Sequence, residues 1–229
     1  MKSNTNSAPS QPPFLVQTPQ GLALRGGGLE LRGDFSEMLP RLRQDRLAHE
    51  MLVKAAHIKG ASERLRAVDA TAGLGEDSLL LAAAGFEVTL FERDETIAAL
   101  LADALARASE HLQLAPIVGR MHLRQDDSIE ALPRLDFTPD VVLLDPMFPA
   151  RRKSAAIKKK LQLLQQLESP CEDEEALMQA ALAAGPRKVV VKRPAKGPHL
   201  AGVKPAYSVE GKAVRYDVIV CAQNKTVTG

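Results

Sequence analysis

Tryptophan is absent from this chain, and aromatic residues make up only 3% of its 229 positions. Any stacking on a planar ligand therefore depends on a handful of rings. Cysteine is almost as scarce. Cys171 and Cys221 lie far apart and form no CxxC or Cys/His spacing, which excludes a disulfide framework and a cysteine-based zinc site. The two thiols read as reduced. His49, His57, His111, His122 and His199 are scattered, with neither triad nor metal spacing, and no metal is expected. The formal net charge is +2, so global charge points to no partner. A nucleic-acid reading has to rest on local clustering. No apolar run approaches the ~20 residues needed to cross a bilayer, and the N-terminus lacks the pattern of a secretory leader. A cytoplasmic protein without a membrane segment is the expectation. Hydrophobic residues reach 45% and charged residues 25%, an ordinary globular balance that suits one α/β domain with a small appendage.

Residues 1–13, MKSNTNSAPSQPP, are small, polar and Pro-rich and read as a disordered tail, because they bury too little to offset their ordering entropy. Residues 14–60 read as an N-terminal β/α extension. FLVQT, LALR and LELR are strand-like around a Gly26–Gly28 turn. Met38, Leu42, Leu47, Met51 and Val53 then recur at helical spacing, with Gly60 as a stop. Residues 61–229 read as the main domain. Short apolar runs (LRAVDA, EVTLFER, MHLRQ, DVVLLD, RKVVVKRP) alternate with helical patterns. That alternation predicts βαβ units on a mostly parallel, Rossmann-like sheet. YSVEGKAVRYDVIVCA reads as a closing antiparallel hairpin turning near Gly211.

The stretch VDATAGLGED marks the first strand-to-helix turn. Gly73 and Gly75 have no Cβ to keep a ligand from the backbone. Two cofactors compete for this turn. A dinucleotide fingerprint GxGxxG would need glycine where Ser78 stands. A methyl-donor turn, D-x-G-x-G-x-G, keeps Asp69, Gly73 and Gly75 but has Thr71 in place of one glycine. S-adenosylmethionine carries a sulfonium and an ammonium but no phosphate, so carboxylates suit it. Glu92, at the end of the second strand, is placed to accept ribose hydroxyls with either cofactor. Asp126 and Asp127 end the third strand, where they could read an adenine amino group or simply cap the helix that begins at Ser128.

Asp145 ends the most apolar strand and opens the stretch DPMFP. Ligands of open parallel sheets bind outside the carboxyl ends of strands, at the switch point. A nucleobase amino group is a poor nucleophile because its lone pair is delocalised into the ring. The Asp145 carboxylate and an exposed Pro146 carbonyl would accept its N–H groups and favour the tetrahedral form that attacks. Phe148 would stack on the base. Arg151, Arg152, Lys153, Lys158, Lys159 and Lys160 follow, where cations can meet phosphates. Lys192 and Arg193, at the end of the next strand, extend the same rim.

VDATAGLGED, LFER, LLDPMFPARRKSAAIKKK and VVVKRP together resemble the bacterial small-subunit ribosomal RNA guanine-N2 methyltransferase J family. The resemblance implies a class I S-adenosylmethionine-dependent fold and methylation of the exocyclic N2 of one guanine in 16S ribosomal RNA, free or in the small subunit. It places donor-binding motifs on Glu76, Asp77, Glu92, Arg93, Asp127, Ser128 and Asp145. The alternatives are a catalytically silent RNA-binding protein with the same fold and, behind it, a nicotinamide-dependent dehydrogenase.

Overall fold

The computed structural model describes residues 12–61, 64–146, 163 and 173–222. Its centre is a seven-stranded sheet in the order β6-β5-β4-β7-β8-β10-β9. The strands are β4 (Arg66–Asp69), β5 (Glu87–Phe91), β6 (Met121–Arg124), β7 (Val141–Leu144), β8 (Lys188–Pro194), β9 (Tyr207–Glu210) and β10 (Val214–Val220). The strands from β6 to β8 pair in parallel. β10 runs antiparallel to both β8 and β9. The chain turns from β4 towards β5 on one side and later from β7 towards β8 on the other. The β4/β7 seam is therefore the switch point where open α/β sheets take their ligands.

Helices cover both faces of this sheet, which is why β7 (VVLL) is buried along its whole length. The side-chain period of two splits the central strands between two cores. Ala67, Val141, Leu143 and Val190 face one core, while Val68, Val142, Leu144, Val189 and Val191 face the other. The first core is closed by α4 (Glu76–Ala83) and α5 (Glu95–Ser109), the second by α7 (Ser128–Ala131) and α8 (Glu174–Ala183). Start signals match the sequence. The carboxylates of Asp94, Asp127 and Asp173 accept backbone N–H groups at the N-termini of α5, α7 and α8. A short α6 (Ala115–Val118), which the sequence pattern does not announce, joins α5 to β6.

β1 (Phe14–Thr18), β2 (Gly21–Gly26) and β3 (Leu29–Leu31) form a separate antiparallel sheet that packs Leu24 and Leu31 against Leu100 of α5. The segment 37–59, expected as one helix, is instead broken. It forms a 3-10 turn at Phe35–Met38 and then α1 (Leu39–Leu42), α2 (Gln44–Leu47) and α3 (Met51–Ala56). The breaks fall at Arg43 (ψ 138) and Glu50 (ψ 131), which leave helical geometry. The kinks let Phe35, Met38, Leu52, Ala55 and Ile58 all reach the first core, which a straight helix could not wrap. The extension thus shares the main domain's core.

Candidate active site

Parallel pairing brings the carboxyl ends of β4, β5, β6 and β7 to one edge, and with them Asp69, Glu92, Asp127 and Asp145. Gly73 and Gly75 occupy the turn between β4 and α4, both with positive φ (52° and 77°). Their surroundings differ. A Cβ on Gly75 would lie 2.7 Å from Leu101 Cδ1 and 3.3 Å from Phe35 Cζ, whereas one on Gly73 would project into open space. Gly75 is needed for packing behind the turn, and Gly73 faces the cleft.

Asp69 braces this turn from below. It is 2% exposed, and its oxygens accept the Thr71 N–H at 3.1 Å and the Ser78 hydroxyl at 2.6 Å. Burial, together with nearby Asp77 and Asp145, pushes its carboxyl up to about 7 against the help of Ser78 and Thr71. Ser78, the residue that breaks the dinucleotide fingerprint, is thus the hydroxyl that satisfies a buried carboxylate. Thr71, in place of a glycine, accepts the Asp145 N–H on its Oγ1 at 2.7 Å. This threonine ties the glycine turn to the Asp-Pro turn. Its role was not legible in advance, although its departure from the glycine pattern was the signal.

Glu92 is buried and accepts the N–H groups of Gly73 and Asp94, each at 2.9 Å. Each oxygen so occupied keeps a second lone pair. Burial raises its pKa, and the two N–H bonds oppose the shift. Asp127 is the α7 cap: Oδ1 accepts Ile129 N–H at 2.9 Å, and Oδ2 lies 3.9 Å from Arg93 Nη1. Ser128 is buried, Glu76 is exposed, and Asp77 is half-buried in the first turn of α4.

Asp145 opens partly onto the cleft, with its side chain 40% exposed. Lys192 Nζ lies 2.9 Å from Asp145 Oδ2 and 2.7 Å from Asp77 Oδ2. Burial of the site raises Asp145's pKa despite Lys192. Burial opposes charge on Lys192 too, but Asp77 and Asp145 outweigh it and hold the ammonium charged. Tyr216 of β10, opposite Lys192 in register, is buried here. Burial, with Asp77 adding to it, raises its pKa.

Three expectations need correction. Lys192 was expected on a phosphate-facing rim, but it is held between two carboxylates within the site. Arg193 was expected on the same rim, yet its side chain is 0% exposed, and it donates to Pro198 O and pairs with Glu174. The alternation of β8 explains the second case, because position 193 points to the side opposite 192. Pro146 was expected to offer an exposed carbonyl, but the residue is buried. Phe148, Arg151, Arg152, Lys153, Lys158, Lys159 and Lys160 lie outside the described residues.

An acidic edge with an open glycine turn fits a donor bearing sulfonium and ammonium charges. It suits a pyrophosphate less well, since the partly exposed Asp145 carboxylate lies at the same edge. A family model described as "Putative SAM-dependent methyltransferase" matches residues 2–221. The "Ribosomal RNA small subunit methyltransferase J" of Thioalkalivibrio sulfidiphilus is 44% identical over 218 residues, covering 89% of this chain and 85% of that protein. The chain belongs to the methyltransferase J family. The family's member in Pseudomonas aeruginosa is 49% identical over 170 residues, covering 74% of this chain and 65% of that protein. The crystal structure of a SAM-dependent methyltransferase from Neisseria gonorrhoeae superposes with a TM-score of 0.75 at 32% identity, over 95% of this chain and 86% of that one. The protein is an S-adenosylmethionine-dependent methyltransferase of class I fold. This replaces both the dehydrogenase reading and the silent RNA-binding reading. Among the described residues no helix is long and apolar enough to cross a membrane.

Proposed function

We propose that this methyltransferase J family member methylates the exocyclic N2 of a guanine in small-subunit ribosomal RNA. The observation that carries the reading is Asp145: a partly open carboxylate at the β4/β7 switch point, hydrogen-bonded through its own N–H to the glycine turn at Thr71. The relatives, ribosomal RNA small subunit methyltransferases J, support the RNA substrate.

S-adenosylmethionine, when bound, supplies a methyl group made electrophilic by the sulfonium. Glu92 takes the ribose hydroxyls on its remaining lone pairs, Asp127 faces the adenine edge beside Arg93 and Ser128, and Gly73 lets the backbone approach. Glu76 and Asp77 add negative charge at the start of α4. Asp145 accepts an N–H of the target amino group, drawing the nitrogen lone pair out of conjugation and orienting it at the methyl. The N–C bond would form as the C–S bond breaks, S-adenosylhomocysteine would leave, and the surplus proton on the nitrogen would pass to solvent. The hydrogen bond strengthens as the nitrogen becomes tetrahedral, so it acts on the transition state more than on binding. With Pro146 buried, the reading rests on the Asp145 carboxylate as acceptor. Phe148 stacks on the base, and the cations at 151–153 and 158–160 meet the flanking phosphates. An exocyclic N2 is reached only in an unpaired or flipped guanine.

Single-turnover methylation of 16S RNA at saturating donor tests this. Asp145→Ala is expected to keep its fold and lose rate by about 10²–10³-fold, the range seen when one preorganised transition-state hydrogen bond is removed. Mass spectrometry of the product is expected to show N2-methylguanine. A methyl on a ring nitrogen or a ribose, or a wild-type rate in Asp145→Ala, would overturn the proposal.

A further inference from the structure

Three acidic residues gather where α4 meets the β4/β7 seam: Asp77, Asp145 and, buried beneath the turn, Asp69. Asp77 and Asp145 both raise the pKa of Asp69, and Asp77 raises that of Asp145. An amino group needs a charged acceptor here, since a protonated Asp145 would be a weaker acceptor and could turn its O–H towards the nucleobase. Lys192 Nζ meets this requirement from β8. It donates to Asp77 Oδ2 at 2.7 Å and lies 2.9 Å from Asp145 Oδ2. Among the described residues Asp145 Oδ1 has no such partner. β8 is ladder-bonded on both sides, to β7 and to β10, with Tyr216 opposite position 192. The lysine stem is therefore anchored, with the side chain only 26% exposed. This is poor geometry for a phosphate contact.

We propose that Lys192 is a positioning residue for methyl transfer: its ammonium keeps the Asp145 carboxylate charged and pins Oδ2, leaving Oδ1 for the target amino group. The inference rests on the assignment of Asp145 as the acceptor. Among the described residues, the charged and titratable groups around Asp145 are Lys192 and Arg193 from β8, Asp77 from α4, Asp69 from β4 and Tyr216 from β10. Removing the Lys192 charge leaves Asp145 beside Asp77 and Asp69, with only the smaller, through-space help of Arg193. Asp145's pKa then rises, because an opposite charge at this range is worth about 1–3 pH units. Protonated Asp145 is inactive, so the acid limb of the rate profile moves to higher pH.

The experiment compares wild type, Lys192→Gln and Lys192→Arg in single-turnover methylation of 16S RNA from about pH 5.5 to 9. A parallel NMR titration follows the Asp145 carboxyl in ¹³C-aspartate-labelled, donor-free protein, with the resonance assigned by Asp145→Asn. Lys192→Gln is expected to lose rate on the acid side of the profile, to recover as pH rises, and to titrate Asp145 at least one unit higher. Lys192→Arg keeps the charge and is expected to follow the wild-type profile. Donor affinity above the Asp145 titration is expected to hold, because the Lys192 ammonium is already committed to Asp77 and Asp145. Lys192→Met serves if the glutamine variant does not fold. A rate loss equal at every pH, an unmoved Asp145 titration, or an arginine variant no better than glutamine would each overturn the inference. Donor binding weakened tenfold or more would also overturn it, by making Lys192 a ligand of the donor carboxylate. If Asp145→Ala transfers methyl at full rate, the assignment of Asp145 itself fails. If Asp145→Ala is slow but Lys192→Gln keeps the wild-type profile, only the role of Lys192 fails.

Discussion

At the scale of single residues, Asp69 has the clearest pH signature. Its carboxyl sits near 7 in the folded chain against an ordinary value of 3.8. The folded state therefore holds a proton that the unfolded state has released between about pH 4 and 7. Stability contributed by this group is fully present below the lower value and is lost as pH rises through the window. The cost is at most on the order of 4 kcal/mol by the linkage between pKa and free energy. Asp69→Asn carries no charge to bury. Relative to wild type, its unfolding free energy is expected to improve steadily from pH 4 to 7 and then level off, whatever constant offset the altered bonds to Ser78 and Thr71 introduce. Denaturant melts at four or five pH values check this, and a pH-independent difference would mean that Asp69 titrates normally. Glu92 follows the same logic to a smaller degree, since the Gly73 and Asp94 N–H groups offset its burial.

At the scale of elements, the β4–α4 turn shows how two glycines in one motif do different work. Both hold positive φ, so alanine at either costs about 1–2 kcal/mol in backbone conformation. At Gly75 the added methyl also meets Leu101 and Phe35, and overpacking adds typically 1–3 kcal/mol. At Gly73 it meets nothing. Gly75→Ala is expected to lower stability by about 2–5 kcal/mol. Gly73→Ala is expected to lower it by no more than about 2 kcal/mol, yet to weaken donor binding because the methyl enters the cleft. Thermal melts paired with calorimetric titration of S-adenosylhomocysteine separate the two effects. Equal stability losses, or unchanged donor affinity in Gly73→Ala, would contradict the division. The C-terminal hairpin is an element of another kind. Arg215 bonds Asp217 and donates to the carbonyls of Pro194, Ala195 and Gly197. This fixes the loop that leaves β8 just beyond Lys192. Asp217 is held down near 2: burial would raise it, but Arg215, Ser208 and His199 more than offset that.

At the scale of the whole molecule, the N-terminal segment is structural. Phe35, Met38, Leu52 and Ile58 are buried in the core that also holds Leu79, Leu101 and Val190. Lys188 Nζ on β8 donates to the carbonyl of Ala55 at 3.2 Å. Burying four large apolar side chains contributes roughly 6–12 kcal/mol, which is comparable with the whole stability of about 5–15 kcal/mol of a typical domain. A chain beginning at residue 61 is therefore expected to lose cooperative unfolding. Urea melts followed by circular dichroism test this, and a sharp transition of native amplitude would show the segment to be dispensable.

What the sequence determined by itself is mostly local. Strand runs such as VVLL, the caps at Asp94 and Asp127, the glycine turn and the closing hairpin follow from periodicity and from backbone chemistry that acts within a few residues. The acidic residues at strand ends were legible for the same reason, since parallel pairing brings strand ends together wherever it occurs. The fate of the cations was not. Lys192 and Arg193 are adjacent in sequence and chemically alike, yet one enters the cleft to meet Asp77 and Asp145 while the other pairs with Glu174 on the opposite face. Thr71 and Ser78 look like flaws in a glycine motif until Asp145 and Asp69 are seen beside them. In the same way the helical spacing of 37–59 could not show its kinks, because the curved core surface to which it conforms is built by residues 67–218. Charge and hydrogen-bonding partners are set by which side chains meet across distances of about 70 to 120 positions, as Asp145 with Thr71 and Lys192 with Asp77 do. Only the assembled sheet decides those meetings, since short-range propensity acts over a few residues and carries no information about contacts so remote.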